Sequence, residues 1–261
     1  MPIRFVGSLA LALACMAGAA SARDRMEPIT PRRGISQNLY VVDAQGAPWA
    51  TAILYVGGEG MVGQPGRLTK NFLMRIKDQL SSAGIGLIYP GLPSDRQQGL
   101  GNARNDDEHV KDAAAIVAWA RAWSPAPIFV IGTSRGTVSA VNIAAHLPPG
   151  ALAGAALTSS VTRRSRKGED AIDFRYAGQI TLPVLVMHHR DDGCRVTPPA
   201  DVPKLVESLK VSSRVTTVWI TGGSEPQSEP CEALSRHGYI GVEREATTAM
   251  IDWMKSVVGA H

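Results

Sequence analysis

Short apolar segments alternate with helical segments along most of this chain, and this alternation limits the folds open to it. The apolar segments are too short for buried helices and are bounded by glycine, proline or polar residues. Strands without a polar face predict a mostly parallel central sheet with helices on both faces. The predicted strands span residues 36–43, 50–56, 85–89, 128–131, 152–157, 182–188 and 214–220. The predicted helices span residues 71–83, 106–123, 137–147, 202–209 and 243–258.

The first 22 residues have the pattern of a secretory signal peptide. Arg4 precedes an uncharged, mostly apolar segment, and Ala20-Ser21-Ala22 forms a small-x-small cleavage signature. We therefore expect residues 1–22 to be removed from an exported protein, periplasmic or secreted. The alternative is a lipoprotein anchored through Cys15, because the preceding residues loosely resemble a lipidation signal. No other stretch is long and apolar enough to span a bilayer, so we expect no stable membrane insertion.

The remainder of the chain is predicted to form one domain. Residues 23–35 are polar and contain prolines and paired arginines, which indicates a leader or linker. No repeat or linker divides residues 36–261, which we assign to a single α/β domain.

Composition excludes several classes of protein. With 44% hydrophobic and 19% charged residues, the chain is neither disordered nor a small disulfide scaffold. Aromatic residues make up only 5%, which argues against a binder that stacks its ligand on aromatic side chains. The net charge of +4 is small, and the basic residues between Arg163 and Lys167 are followed by acidic ones. We interpret that segment as a solvated loop, with a polyanion site as the alternative, and we expect no nucleic-acid partner.

One motif points to catalysis. Gly132-Thr133-Ser134-Arg135-Gly136 lies between a predicted strand and a predicted helix. A sharp strand-to-helix turn holds its central residue in a strained, left-handed conformation and needs small residues on either side. This context predicts an exposed nucleophilic hydroxyl at Ser134, next to a helix N-terminus that favours developing negative charge.

A nucleophilic serine needs a histidine base and an acid that orients it. Asp192 follows the strand at 182–188, and His237 follows the strand at 214–220. Together with Ser134, these residues follow the order serine, acid, histidine along the chain. In this ordered set the chain resembles the α/β-hydrolase family. Matching His188 to the family's His-Gly-x-x-Asp signature places the acid at Asp192, although His189 replaces the usual glycine. Asp191 remains the alternative acid.

The resemblance implies a fold, an oxyanion hole and a reaction. The fold is an α/β-hydrolase fold, and the polar segment before the strand at 182–188 is too short for a large lid. The oxyanion donors are the N–H groups of Arg135 and Gly58, with Glu59 as second choice for the latter. The implied activity is a serine hydrolase that cleaves a small carboxylic ester without cofactor or metal. The alternatives are a peptidase or amidase with the same triad, and a non-catalytic binding protein.

Cysteine usage fits export. Removal of residues 1–22 would leave Cys194 and Cys231 as an even pair in an oxidising compartment, which predicts a disulfide between them. The alternative is two free buried thiols. Because the neighbouring strands 182–188 and 214–220 precede the two cysteines, the bridge would tie the loop of the acid to the loop of the histidine. Its role is either to hold the geometry of the triad or only to stabilise an exported protein.

Overall fold

Eight strands form one central sheet in the computed structural model, which describes residues 24–259. The predicted signal peptide and Cys15 lie outside the described residues. Two further short strands, β4 and β5, lie outside this sheet. In chain order the strands are β1 Asp24–Arg32, β2 Ile35–Val42, β3 Ala50–Tyr55, β4 Gly63–Gln64, β5 Arg67–Leu68, β6 Ile85–Pro90, β7 Ile128–Thr133, β8 Gly154–Thr158, β9 Val184–His189 and β10 Val215–Ile220. The helices are α1 Phe72–Arg75, α2 Lys77–Ser82, α3 Asp107–Trp123, α4 Gly136–His146, α5 Phe174–Ala177, α6 Val202–Ser208 and α7 Glu243–Val258.

The order of strands in the sheet is β1-β2-β6-β3-β7-β8-β9-β10, and β4 and β5 form a separate two-stranded hairpin. Pairing is antiparallel between β1, β2 and β6 and parallel from β6 to β10. Every residue of β3, β6, β7, β8 and β9 is buried. Strands buried on both faces require cover on both sides of the sheet.

The helices provide that cover in two layers. Apolar side chains of α3, α4, α5 and α6 pack on one face of the sheet. Those of α1, α2 and α7 pack on the other face. The predicted mostly parallel sheet with helices on both faces is confirmed.

The sheet order also shows where a ligand would bind. The connection after β3 leads to β6 on one side, whereas the connection after the adjacent β7 leads to β8 on the other side. Ligands in open α/β sheets bind at such switch points, beyond the carboxyl ends of the strands. The register pairs Tyr55 with Gly132, which brings the loop after β3 beside the turn after β7.

The predicted leader at residues 23–35 differs from the structure, in which residues 24–32 form an edge strand of the sheet. β1 pairs antiparallel with β2 from Asp24 opposite Val42 to Arg32 opposite Ile35, with an irregularity near its end. Prolines are tolerated on an edge strand because half of its N–H groups face away from the neighbour. Three of its four charged residues form ion pairs, among them Arg32 with the buried Asp112 of α3, and the fourth, Asp24, accepts a hydrogen bond from the hydroxyl group of Tyr40. The polar composition and the prolines of residues 23–35 therefore led to the prediction of a leader where the structure has a strand.

The other predicted elements differ from the structure by at most two residues at either end, except the helix predicted at 71–83. That helix is interrupted at Ile76, where α1 ends and α2 begins. The segment between β8 and β9 contains only one short helix, α5, and so holds no large lid. Within residues 24–259, no helix is both long enough and apolar enough to cross a membrane.

Candidate active site

Ser134 occupies the sharp turn between β7 and α4. Its φ of 51° lies in the left-handed region, as the motif predicts. Its N–H donates to the carbonyl oxygen of Thr158 (3.0 Å), and its own carbonyl oxygen accepts from the N–H of Thr137 (2.9 Å). A Cβ atom at Gly132 would collide with the carbonyl group of Gly136, and one at Gly136 with that of Tyr55. Both glycines of the motif are therefore required by close backbone approaches.

Asp192 and His237 meet beyond the ends of β9 and β10. His237 Nδ1–H donates to Asp192 Oδ2 over 2.9 Å, and the two residues are 4% and 5% exposed. The structure brings His237 together with Asp192 and not with Asp191, which is exposed. The N–H of Asp191 donates instead to His189 Nδ1 (3.0 Å), and His189 Nε2–H donates to the carbonyl oxygen of Gly222 (3.0 Å). Asp191 therefore contributes to the turn after β9 through its hydrogen bond to His189.

The carboxyl group of Asp192 is held in its ionised form. Burial alone would raise its pKa, but hydrogen bonds from His188, His237 and the N–H of Cys194 outweigh burial and lower the pKa below its usual range. Because an ionised carboxylate only accepts hydrogen bonds, His237 carries a proton on Nδ1. In the neutral ring Nε2 is then unprotonated and able to accept a proton from a neighbouring hydroxyl group.

Thr197 supports this pair, although the sequence reasoning did not select it. Its hydroxyl group donates to Asp192 Oδ2 (2.9 Å) and lies 3.1 Å from His237 Nδ1. Its carbonyl oxygen accepts from Nε2–H of the buried His188 (2.9 Å). The sequence does not show that this threonine is buried, so it gave no signal for this role.

A second support holds the backbone of His237. Ser159, which directly follows β8, donates through Oγ to the carbonyl oxygen of His237 (2.7 Å). The hydroxyl group of Tyr239 accepts from the N–H of Ser159 (3.2 Å) and donates to the carbonyl oxygen of Met187 (2.9 Å). Ser159 and Tyr239 both have positive φ, 46° and 59°, without being glycine. Strain of this kind clusters at functional sites, because the surrounding structure must hold it in place.

The glycine-rich loop after β3 lies against Ser134. A Cβ atom at Gly57 would lie 2.9 Å from Ser134 Cβ, so only glycine fits there without displacing its neighbours. The N–H of Gly60 donates to the carbonyl oxygen of Gly57 (3.2 Å), and Gly58 takes a φ of 56° in this turn. The loop therefore lies against Ser134 at Gly57, and the predicted oxyanion donor Gly58 is the next residue along it.

Arg104 anchors that loop from behind. It is 1% exposed and donates to the carbonyl oxygens of Val56 (3.2 Å) and Gly58 (3.0 Å) and to Ser139 Oγ (2.8 Å) of α4. Burial, and less strongly the positive charge of Arg135, lower its pKa to about 9, so the group stays cationic at neutral pH. Sequence reasoning missed Arg104, because a fully buried arginine is rare and its segment is polar.

The side chain of Arg135, the residue after Ser134, joins two loops. Its guanidinium group forms ion pairs with Glu59 of the glycine-rich loop and with Glu169 of the segment between β8 and β9. These ion pairs connect the turn that carries Ser134 to the glycine-rich loop and to the segment between β8 and β9. The backbone N–H of Arg135, the first predicted oxyanion donor, makes no backbone hydrogen bond within residues 24–259.

A cavity of about 430 Å³ joins these elements. Ser134 and His237 both line it, together with Gly57, Gly58 and Cys231. Cys231 forms the predicted disulfide with Cys194, with Cα atoms 4.5 Å apart, and the bridge connects the acid loop to the histidine loop. Among residues 24–259, no group of three or more His, Cys, Asp and Glu side chains is arranged to hold a metal ion.

No protein-family model and no curated protein matches this chain, but solved structures match most of it. The esterase Pf2001 of Pyrococcus furiosus superposes with a TM-score of 0.66 at 14% identity, covering 90% of this chain and 91% of that chain. Dienelactone hydrolase from Anabaena variabilis gives 0.64 at 13% identity, covering 90% and 98%. The acylaminoacyl peptidase of Pyrococcus horikoshii gives 0.61 at 14% identity, covering 87% of this chain and 41% of that one.

Together with the sheet order and the turn at Ser134, these similarities show that the chain has the α/β-hydrolase fold. The fold predicted from the ordered serine, acid and histidine is confirmed. Fold alone does not determine function, so the chemistry must be argued from the residues of this site.

Proposed function

We propose that this protein is a serine hydrolase that cleaves carboxylic esters. The observation that carries the proposal is the 2.9 Å bond from His237 to Asp192 at a cavity that Ser134 also lines. A serine hydroxyl group is a weak nucleophile at neutral pH, and it needs a base whose tautomer is held by an acid. The loop that contacts Ser134 adds a backbone N–H group, at Gly58, for the developing oxyanion.

The proposed reaction has two halves. Ser134 Oγ attacks the acyl carbon while His237 Nε2 accepts its proton, and Asp192 stabilises the resulting imidazolium. The N–H groups of Arg135 and Gly58 donate to the oxyanion of the tetrahedral intermediate. As the C–O bond breaks, the imidazolium returns its proton to the departing alcohol. Water then attacks the acyl-enzyme with His237 again as base, and the acid and free Ser134 are released.

Labelling with a fluorophosphonate probe tests the proposal directly. We expect the wild-type protein to be labelled and Ser134→Ala not to be labelled. Ser256→Ala, on the exposed surface of α7, is the matched serine control and should be labelled like wild type. Turnover of p-nitrophenyl acetate should fall about 10³-fold or more in Ser134→Ala. A folded wild-type protein that neither reacts with the probe nor hydrolyses the ester would favour a binding protein on a hydrolase scaffold.

The ester is the first substrate class because an ester carbonyl is less stabilised by resonance than an amide carbonyl and is attacked more readily, and because two of the similar structures are an esterase and a dienelactone hydrolase. The similarity to an acylaminoacyl peptidase supports the second candidate, an amide or peptide substrate. Rates on p-nitrophenyl esters and on matched p-nitroanilides separate the two. We expect the ester to be the better substrate by kcat/KM, and a faster anilide would reverse the assignment.

We also propose that the protein functions outside the reducing cytoplasm, periplasmic or secreted. The disulfide between Cys194 and Cys231 supports this location. Sequencing the N-terminus of the protein isolated from its cells should give Arg23 as the first residue. Palmitate labelling that is lost in Cys15→Ala would instead establish the lipoprotein form.

A further inference from the structure

A second cavity, of about 450 Å³, lies next to the candidate active site. It is bounded by the start of β2, the end of β6 and the β4–β5 hairpin, and we refer to it as the side cavity. Since β6 neighbours β3 in the sheet, both cavities open at the same edge. Met61 lines both cavities and is 50% exposed, so a flexible apolar side chain forms the ridge between them.

The side cavity differs from the active-site cavity in charge. Within residues 24–259, no Asp, Glu, Lys or Arg side chain lines it, whereas Glu59, Lys70 and Glu232 line the active-site cavity. Its polar side chains are those of two serines, four carboxamides and two tyrosines: Ser36, Ser94, Gln37, Asn38, Gln64, Gln97, Tyr40 and Tyr89. The side chains of Asn38 and Gln64 make no hydrogen bond with other residues in the described part of the chain. An uncharged wall of this kind suits a group that forms hydrogen bonds and carries no charge.

Gln37 further restricts the kind of ligand that the side cavity would bind. The residue is 6% exposed and lines the side cavity, and its Nε2–H group donates to the carbonyl oxygen of Gly91 (2.7 Å). Its Oε1 atom is buried and has no hydrogen-bond donor among the described residues. An unpaired buried acceptor is costly, so a turn of the side chain that brings Oε1 to the cavity surface is favoured when a ligand O–H or N–H group donates to it. A carboxylate has no donor to offer, and an ammonium group would be desolvated without a neighbouring counter-charge.

We propose that the side cavity is a substrate subsite for an uncharged hydrogen-bonding arm of the ester, ending in a hydroxyl group or a carboxamide. The arm would pass over Met61 while the ester carbonyl lies at Ser134. This inference deepens the proposed ester hydrolase and rests on it. It assigns the selection of substrates to β2, β6 and the β4–β5 hairpin, and not to the loops that carry Ser134, Asp192 and His237.

The test uses esters that differ only at the end of the arm. Two series are needed, with the arm on the acyl side of a p-nitrophenyl ester and with the arm on the alcohol side of an acetate. Each series ends in hydroxyl, carboxamide, carboxylate, ammonium or methyl. In one series we expect kcat/KM for the hydroxyl or carboxamide ester to exceed that for the carboxylate ester about tenfold or more, as two or three hydrogen bonds would give.

Substitutions at residues that line the side cavity test whether the preference for an uncharged arm arises there. A triple variant, Asn38→Ala with Gln64→Ala and Gln97→Ala, should reduce the preference to about threefold or less. Gln64→Lys should raise the rate on the carboxylate ester by providing a counter-charge. Gln179→Ala, at an exposed position after α5, is the matched control and should behave as wild type.

The outcomes separate this inference from the proposed function. Wild-type turnover of p-nitrophenyl acetate that depends on Ser134, without any preference in either series, overturns the subsite alone. A preference that survives in the triple variant also overturns it, because the selecting groups would then lie elsewhere. Absence of turnover and of fluorophosphonate labelling overturns both proposals together.

Discussion

Arg104 donates a 3.0 Å hydrogen bond to the carbonyl oxygen of Gly58, the residue assigned as oxyanion donor. It also holds the carbonyl oxygen of Val56 (3.2 Å). These two bonds fix the peptide groups on either side of the one that carries the N–H of Gly58. A charge-assisted bond to a carbonyl group is stronger than a neutral one, so the loop has little freedom to turn its N–H away. We therefore propose that Arg104 is a positioning residue for the proposed oxyanion hole.

Arg104→Met should lower kcat about 10²-fold on p-nitrophenyl esters with little change in KM, because the loss of an aligned oxyanion donor acts mainly on the transition state. Methionine keeps most of the apolar volume and removes the charge. Arg104→Lys should recover part of the rate. Ser139→Ala, which removes only the bond to α4, should cost less than tenfold, as about 1 kcal/mol per neutral hydrogen bond implies. An unchanged kcat in a folded Arg104→Met protein would refute the positioning role.

Thr197→Val should reduce kcat/KM about five- to tenfold, because valine retains the shape and loses the hydrogen bond to Asp192. Without this bond, the carboxylate is less firmly oriented toward His237. Steady-state kinetics over a range of pH would detect the loss. Thr247→Val, at a buried threonine of α7, is the control for burying a β-branched apolar side chain and should retain the wild-type rate. Equal losses in the two variants would indicate general destabilisation.

The ionised Asp192 should make stability depend on acid pH. Its pKa is lower in the folded protein than in the unfolded chain, so the unfolded chain binds more protons at low pH. The contribution of Asp192 to stability is therefore full above about pH 4 and is lost as pH falls toward its folded pKa. Urea unfolding of wild type and Asp192→Asn should show a difference in the free energy of unfolding that shrinks below this pH. A constant difference would mean that the carboxylate is not selectively stabilised by folding.

The disulfide should contribute both stability and rate. It closes a loop with a sequence separation of 37 residues, and the chain-entropy effect for such a loop is roughly 4 kcal/mol. The variant Cys194→Ala with Cys231→Ala should lower the free energy of unfolding by about 2–4 kcal/mol. It should also lower kcat, because the loops of Asp192 and His237 lose their link. Reducing agent should affect wild type and leave the double variant unchanged, and a response of both would point to another cause.

The central elements of the fold were predictable because their signal is local. β3, β7 and β9 are buried on both faces, so each is a continuous apolar segment bounded by glycine, proline or charged residues. The turn at Ser134 was predictable for a related reason, since close backbone approaches there admit only glycine at two fixed positions.

The features that sequence reasoning missed depend on partners distant in the chain. Arg32 reads as part of a polar leader until Asp112 is beside it, 80 residues later. Arg104 looks like a loop residue unless the carbonyl oxygens after β3 are known to lie around it. Thr197 is an ordinary threonine until the fold places it between Asp192 and His237. Composition and periodicity carry no information on such pairings.

The edge strand β1 has a consequence for the exposed backbone of the sheet. β2 lies between β1 and β6, so a chain shortened to begin at residue 36 would expose the backbone N–H and C=O groups of β2. An uncovered edge of this kind is a template for strand addition, which leads to aggregation or domain swapping. Residues 24–32 therefore cover the edge of β2, and a truncation that removes them would open this edge to pairing with another chain.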